Sequence, residues 1–410
     1  MSSFSIPLTG LEASSTALNT IANNLSNMNT TAFKSQNVTF SDLFYQQIGS
    51  SGAGDPLQVG AGTQIASTET DFSQGSINET GNATDVALNG NGFFVVQNGG
   101  ETEYTRDGNF SLTSGGALTT QSGQQVMGYP VVDGAVNTNA PLAPIQIPVG
   151  QVEQPAATTS LSLTANLDAS SATGTVVPAQ ITIYDSLGVS HVATIDFTNM
   201  GSGTWDYNVS LPTGDSTGGV NATQSGSLTF DQNGNLASGT TNPPAVSFTG
   251  LSDGANDLSL NWNLFGSSGQ PTLTQVASAS AVSATNQNGY ASGEYSGFAI
   301  DSDGVVSAEF SNGQTTPVGQ LALANITNQQ GLTISAGNNY QTTLASGAAS
   351  VGVAGSAGLG TMEDEALEQS NVDISTQFSD LIVAQQAFEA SSKAITTFDT
   401  VSQETINMIH

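Results

Sequence analysis

The side chains that could do chemistry in this chain of 410 residues are few. His191 and His410 are the only histidines, and there is no cysteine. Hydrolysis by a histidine base with an oriented nucleophile would fall to His191, yet no Gly-x-Ser-x-Gly elbow accompanies it. His191 reads instead as a residue of a β-strand. Three segments set acid, amide and glycine side by side: Asp107-Gly108-Asn109-Phe110, Asp231-Gln232-Asn233-Gly234 and Asp301-Ser302-Asp303-Gly304. Oxygen donors at alternate positions suit a hard cation, but none of the three continues to the distal bidentate Glu of an EF-hand. They read as hairpin turns. Glu363-Asp364-Glu365 reads as a solvated acidic run. Two carboxylates could flank a glycosidic bond only if folding set them at the right separation, which spacing along the chain does not decide. The expectation is a protein without catalytic residues, cofactor or bound metal.

Charge narrows the partners. The formal net charge is −30, although charged residues make up only 9% of the chain; Lys and Arg together number three. Nucleic acid binding needs clustered basic groups to displace counterions, and anionic membranes need the same. Both are excluded. Apolar residues reach only 37%, and Gly, Ser, Thr, Asn and Ala fill the difference, a mixture suited to short strands joined by tight turns. The first residues, Met1-Ser2-Ser3-Phe4-Ser5-Ile6-Pro7, have neither a basic n-region nor an apolar h-region, which argues against a Sec-type signal peptide. No run approaches the roughly 20 apolar residues that span a bilayer.

The elements follow from periodicity. Leu11, Leu18 and Leu25 fall seven apart, with Ile21 and Met28 on the neighbouring seam position; Ile374, Leu381, Phe388 and Ile395 repeat that spacing near the other end. Such a stripe stays on one side of a helix and predicts packing against another helix. With Phe378 added, these residues form the expected polymerisation interface. Gln385, Ser392 and Asp399 interrupt the alternate seam position of the second helix, leaving it one apolar and one polar stripe. The first helix is expected from near Pro7 to about Asn29, and the second from Asn371 or Asp373, both suitable N-caps. Between them the pattern is β: Val86-Ala87-Leu88-Asn89-Gly90-Asn91-Gly92-Phe93-Phe94 reads as strand, turn, strand. Pro141, Pro144, Pro148 and Pro155 mark a crossing into a second β region, where Ala193, Ile195 and Phe197 share a face, as do Trp205, Tyr207, Val209 and Leu211. The expected fold is mainly β with α-helical termini and one β domain inserted in another. Its parts are an N-terminal helix at 1–30, a linker at 31–70 and a discontinuous inner β domain at 71–145 and 285–357. An inserted outer β domain at 146–284, a linker at 358–370 and a C-terminal helix at 371–410 complete it.

In this order the segments resemble the bacterial flagellar axial proteins, the family of rod and hook subunits. The run Ile21-Ala22-Asn23-Asn24-Leu25-Ser26-Asn27, continued by Thr30-Thr31-Ala32-Phe33-Lys34, is similar to the family's asparagine-rich helix end. Leu367-Glu368-Gln369-Ser370-Asn371-Val372-Asp373-Ile374, followed by Ala384-Gln385-Gln386-Ala387-Phe388 and Ser392-Lys393, resembles its C-terminal signature. Ile183-Tyr184-Asp185-Ser186-Leu187-Gly188 through Trp205 resembles the inserted domain of the hook proteins, which the distal rod protein lacks in comparable size. All three basic residues, Lys34, Arg106 and Lys393, sit within such motifs, so each is expected to have a fixed acidic or carbonyl partner. Ala32 stands where the family often has Gly, which argues against a positive φ there, and Gln386 stands where Arg is usual. The resemblance implies a non-enzymatic homopolymer of the extracellular hook, a flexible curved tube joining motor to filament. The implied partners are the distal rod protein, the hook cap protein, the hook–filament junction protein, the hook-length ruler protein and the flagellar type III export apparatus. A distal rod subunit and, in another class, a secreted β-rich adhesin are the competing readings.

Overall fold

The heptad stripes become two helices, α1 (Ser5–Ser26) and α2 (Ile374–Ile409). The computed structural model describes residues 5–50, 56–217, 223–237, 240–243, 245–266 and 268–409. At about 1.5 Å per residue, α1 is about 33 Å long and α2 about 54 Å. They run antiparallel: Gly10 of α1 lies against Ser391 of α2, and Asn24 Nδ2 donates to Gln377 Oε1 at 3.0 Å. A Cβ on Gly10 would stand 3.1 Å from Ser391 Oγ, so a small residue sets the approach there. Asp373 caps α2, accepting the N–H groups of Ser375 and Thr376 on Oδ1 at 2.8 and 3.1 Å. Its charge also complements the positive end of the helix dipole.

The chain divides into two compact units, Met1–Val149 with Gly297–Ala308 and Thr315–His410, and Gly150–Ser296 with Glu309–Gln314. In the first, α1 breaks into a turn that ends at Ala32. Ala32 has φ +54°, contrary to the expectation from its side chain. Its N–H donates to the Glu368 carbonyl at 2.8 Å, and this tie to the far end of the chain holds the left-handed conformation that alanine alone disfavours. The stretch 31–70 contains an antiparallel pair, Gln36–Asp42 with Thr63–Thr70. The main sheet runs in the order Thr315–Leu321, Gln125–Val132, Phe93–Asn98, Glu101–Thr105, Asn339–Gln341, Thr333–Ser335. Its core is built around Phe93, Tyr104, Met127 and Tyr340, with Phe72 packed against Phe93 and Tyr340 at ring distances of 5.8 and 5.3 Å.

Two short pairings then knit the ends of the chain together. Thr361–Asp364 pairs with Val86–Asn89, and Ala366–Glu368 pairs with Ile77–Glu79. The acidic run Glu363-Asp364-Glu365 therefore lies partly in a strand, with Glu363 half-buried. The hairpin turns use their aspartates for backbone contacts: Asp301 Oδ1 accepts the N–H groups of Asp303 and Val305, and Asp231 Oδ1 those of Asn233 and Asn235.

The second unit is a two-sheet sandwich. One sheet is the antiparallel series Val176–Tyr184, Ser190–Gly201, Thr204–Ser210, Thr223–Thr229. The other has Ser160–Asn166 between Leu258–Asn263 and Leu273–Thr274, and also pairs it with Ala281–Gln287. Strict in–out alternation along Ser190–Gly201 and Thr204–Ser210 sends Phe197, Trp205 and Tyr207 inward, where Trp262 from the opposite sheet meets Tyr207 edge-on at 5.1 Å. This is the expected signature of a sheet with one face dry.

Candidate functional site: the terminal junction

Composition makes one spot unusual. Of three basic residues, two converge on one buried carboxylate. Lys34 Nζ lies 2.7 Å from Glu368 Oε1, and Arg106 Nη1 lies 3.5 Å from Glu368 Oε2; the Lys34 and Glu368 side chains are both wholly buried. Backbone groups meet the remaining donors and acceptors except Arg106 Nε, which is buried without a hydrogen-bond partner. Lys34 donates to the Ser73 carbonyl at 2.7 Å, Arg106 Nη2 to Gly90 at 2.7 Å and Nη1 to Leu88 at 3.4 Å, while the Gly75 N–H donates to Glu368 Oε1 at 2.8 Å. The Arg106 guanidinium also sits 5.6 Å from the Phe93 ring centroid. Burial pulls the Lys34 ammonium below its ordinary value, and the charge and hydrogen bond of Glu368 oppose that pull. Burial likewise pushes the neighbouring Tyr340 phenol up to about 12, with Arg106 pulling the other way. Among the described residues Glu368 is the only carboxylate paired with a lysine or arginine.

Two asparagines extend the junction to the helices. Asn24, buried at the end of α1, accepts the Gln36 N–H at 2.9 Å and donates from Nδ2 to the Gln36 carbonyl and to Gln377 of α2. Asn371, just before α2, accepts the Ser35 N–H at 2.8 Å and donates to the Asp71 and Ser73 carbonyls at 2.8 and 3.1 Å. Side-chain amides thus satisfy backbone groups that no strand reaches. Phe33 is buried beside them. The arrangement holds no nucleophile–base pair. It fastens residues 24–36, 71–75 and 366–377 into one body.

Along the helices the picture changes. Leu11, Leu18, Ile21, Leu25, Leu381, Phe388 and Ile395 are half-buried, whereas Met28, Ile374 and Phe378 are exposed. Other apolar side chains of the two helices lie bare: Ile6, Leu8, Ile382, Val383, Val401, Ile406 and Met408. Phe44, just past the strand that ends at Asp42, is 92% exposed. A groove of about 570 Å³ runs beside the helix pair, lined by Ala13, Ala17 and Ile21 of α1, Val38 and Phe40, and Val383, Ala384 and Ala387 of α2.

Comparison with known proteins agrees with this architecture along the whole chain. Residues 7–34 match the flagella basal body rod protein family and 363–408 the C-terminal region of the flagellar basal body rod FlgEFG proteins. Residues 87–201 match the flagellar hook protein FlgE/F/G D1 domain and 156–290 the flagellar basal body protein FlaE D2 domain. The chain is 33% identical to the flagellar hook protein FlgE of Salmonella typhimurium, over 99% of this chain and 100% of that one. The chain belongs to the flagellar hook protein family. The hook protein FlgE of Treponema pallidum is also 33% identical, over 98% of each chain, and that of Escherichia coli 32%, over 99% of each. A crystal structure of the Helicobacter pylori flagellar hook protein FlgE2 aligns with a TM-score of 0.54 at 15% identity, covering 71% of this chain and all of that one, which shows a shared fold. Hook proteins are structural, and no described helix of this one is long and apolar enough to cross a membrane.

The family motifs therefore divide by role. Asn24, Phe33, Lys34, Asn371 and Asp373 build the junction or the cap. Asn23 supports the helix end, its Oδ1 and carbonyl both accepting from Asn27 Nδ2 at about 3 Å. Ser370 Oγ stands 3.4 Å from the Val372 N–H, and Val372 is half-buried. Gln385, Gln386 and Lys393 point to solvent. Lys393 makes no ion pair among the described residues, against the expectation of a fixed partner: it sits on the outer face of α2, beyond reach of the junction. Glu368 lies within the C-terminal motif, where no local pattern marks it as buried. Scarcity of basic residues was the available signal, since a buried cation needs a buried anion.

Proposed function

We propose that the helix pair is the polymerisation surface of a hook subunit, the exposed apolar side chains of α1 and α2 being covered by neighbouring copies. The bare apolar side chains of the two helices, with the 570 Å³ groove that Val383 helps to line, carry this reading. Burying a large aliphatic side chain contributes about 1.5–3 kcal/mol, so seven of them can exceed the roughly 4–15 kcal/mol cost of association. Head-to-tail contacts of this kind that do not close give a helical filament. The helices would line the tube, the β units would stack outside it, and the polymer would act as a flexible universal joint between motor and filament. Polar Gly/Ser/Thr-rich outer surfaces, nearly free of ion pairs, suit contacts that slide as the tube bends. Its partners would be the distal rod, hook cap, hook–filament junction and hook-length ruler proteins, after type III export to the cell exterior.

Val383→Asp tests the surface. Val383 is 65% exposed, so the monomer should keep its circular dichroism and melting temperature, while purified subunit fails to polymerise and cells carrying it lack hooks. Hooks of normal length from this variant would refute the assignment.

A further inference from the structure

His191 reads as an ordinary strand residue, but its surroundings are not those of a core histidine. Alternation along Ser190–Gly201 turns it inward, to the end of the sandwich, where three turns deliver carboxylates. Asp185 Oδ2 lies 3.1 Å and Asp253 Oδ2 3.6 Å from Nε2, while Asp215 Oδ2 lies 2.9 Å from Nδ1. The His191 side chain is 4% exposed, and Nδ1 has no aligned hydrogen bond despite the nearness of Asp215. Each of the two aspartates on the Nε2 side is already held by its other oxygen. Asp185 Oδ1 accepts the Leu187 and Val189 N–H groups at 2.8 and 2.9 Å, and Asp253 Oδ1 accepts that of Ala255 at 3.0 Å. A β-bridge between Ser216 and Leu251, with the Ser252 N–H donating to the Asp215 carbonyl at 3.0 Å, fixes the turns that carry Asp215 and Asp253.

We propose that Asp185 Oδ2, His191 Nε2 and Asp253 Oδ2 bind a first-row divalent cation such as Zn²⁺. The three atoms lie within 4.8 Å of one another. Donors about 2.0–2.2 Å from one ion, at angles between square and trigonal, stand roughly 3.0–3.7 Å apart, the range of both Nε2 distances. Nε2 stands within hydrogen-bond distance of Asp185 Oδ2, and with the ring proton on Nδ1, beside Asp215, its lone pair faces two carboxylate oxygens. That juxtaposition is repulsive unless a positive charge, a metal ion or a ring proton, stands between them, and no lysine or arginine pairs with any of the three aspartates among the described residues. A carboxylate behind a ligating imidazole is the usual outer support of such a site. One nitrogen with two carboxylates suits zinc or manganese better than calcium, which takes six to eight oxygens. The Asp253 side chain is 22% exposed, so ions can enter and water can complete the coordination. The ion would tie two turns of the second unit to the strand that carries His191.

The test is equilibrium dialysis of the chelator-stripped full-length protein against Zn²⁺, with bound metal counted by elemental analysis. One ion per chain is expected, lost at least tenfold in affinity in Asp253→Asn and His191→Gln and kept in Asp301→Asn, a turn aspartate outside the cluster. Trp205 and Trp262 both belong to this unit, so tryptophan fluorescence reads its melting alone. Zinc at about a hundredfold over its dissociation constant should raise that midpoint by roughly 5–10 °C. Asp253→Asn alters a part-exposed side chain and keeps the test open if His191→Gln does not fold. No stoichiometric uptake, equal uptake by the variants, or an imidazole NMR titration showing that a proton on Nε2 neutralises the cluster in zinc-saturated solution would overturn the site.

Discussion

Replacing Glu368 with Gln removes the only anion from a buried group of two cations while keeping size and an acceptor for the Gly75 N–H. At an effective dielectric of about 20, a full charge at 2.7 Å is worth roughly 6 kcal/mol and one at 3.5 Å roughly 5 kcal/mol. Desolvation of the pair offsets much of that attraction in the native protein. It does not offset the damage of the substitution, because Lys34 and Arg106 remain buried after Glu368 loses its charge. A loss of about 3–5 kcal/mol is expected at pH 7, a large part of the roughly 5–15 kcal/mol that holds a domain together. The sign of its pH dependence is also fixed. Burial already lowers the Lys34 pKa, and without Glu368 it falls further, so the variant regains stability as rising pH neutralises Lys34. Arg106 stays charged, and recovery is incomplete. Urea unfolding followed by far-UV circular dichroism measures the loss. Tryptophan fluorescence follows only the other unit and serves as the internal control. Adding Lys34→Met to Glu368→Gln should restore part of the stability. A loss below about 1 kcal/mol at pH 7, or one that grows with pH, would refute the account.

Further outcomes are expected from charge. With a net −30 per subunit, polymerisation through apolar helices should have a critical concentration that falls as salt rises from about 0.01 to 0.5 M, where the screening length shrinks from about 30 Å to a few ångströms. Sedimentation measures it, and a rise with salt would mean that ion pairs hold the polymer. Burial pushes the Asp107 carboxyl up from 3.8 to about 6, the Asn109 N–H opposing and Asp85 adding to it. The protonated form is favoured in the fold, so this contribution is full below about pH 4 and lost as pH rises through 6. Asp107→Asn should therefore gain about 1–3 kcal/mol over the parent at pH 7.5 and little at pH 3.5, by urea unfolding; a gain independent of pH would contradict it.

What the sequence disclosed depended on the range of the interaction. Local signals spoke plainly: Asp373 as a cap, the alternation that turns Trp205 and Tyr207 inward, and the sevenfold stripes of α1 and α2 are all written in neighbouring residues. Long-range ties were silent. The turn at Ala32 is set by a hydrogen bond from the other end of the chain, so its side chain gave the wrong expectation. Stretches with no clean period, such as 358–370, pair with strands far away in sequence and were read as connections. At His191, only Asp185 lies nearby in the chain; Asp215 and Asp253 arrive through the Ser216–Leu251 bridge, which no periodicity announces.

The tie between Lys34 and Glu368 makes the subunit sensitive to its own completeness. They are 334 residues apart, and closing so long a loop costs roughly 5 kcal/mol of chain entropy. Until the last eighth or so of the polypeptide is present, two cations have no anion, Ile77–Glu79 and Val86–Asn89 lack partners, and α1 has no companion helix. A chain that stops early is thereby left with an open, charged seam where the finished one has a closed clasp. A shortened subunit cannot pass for a whole one, and a growing tube would be spared the defect of adding it.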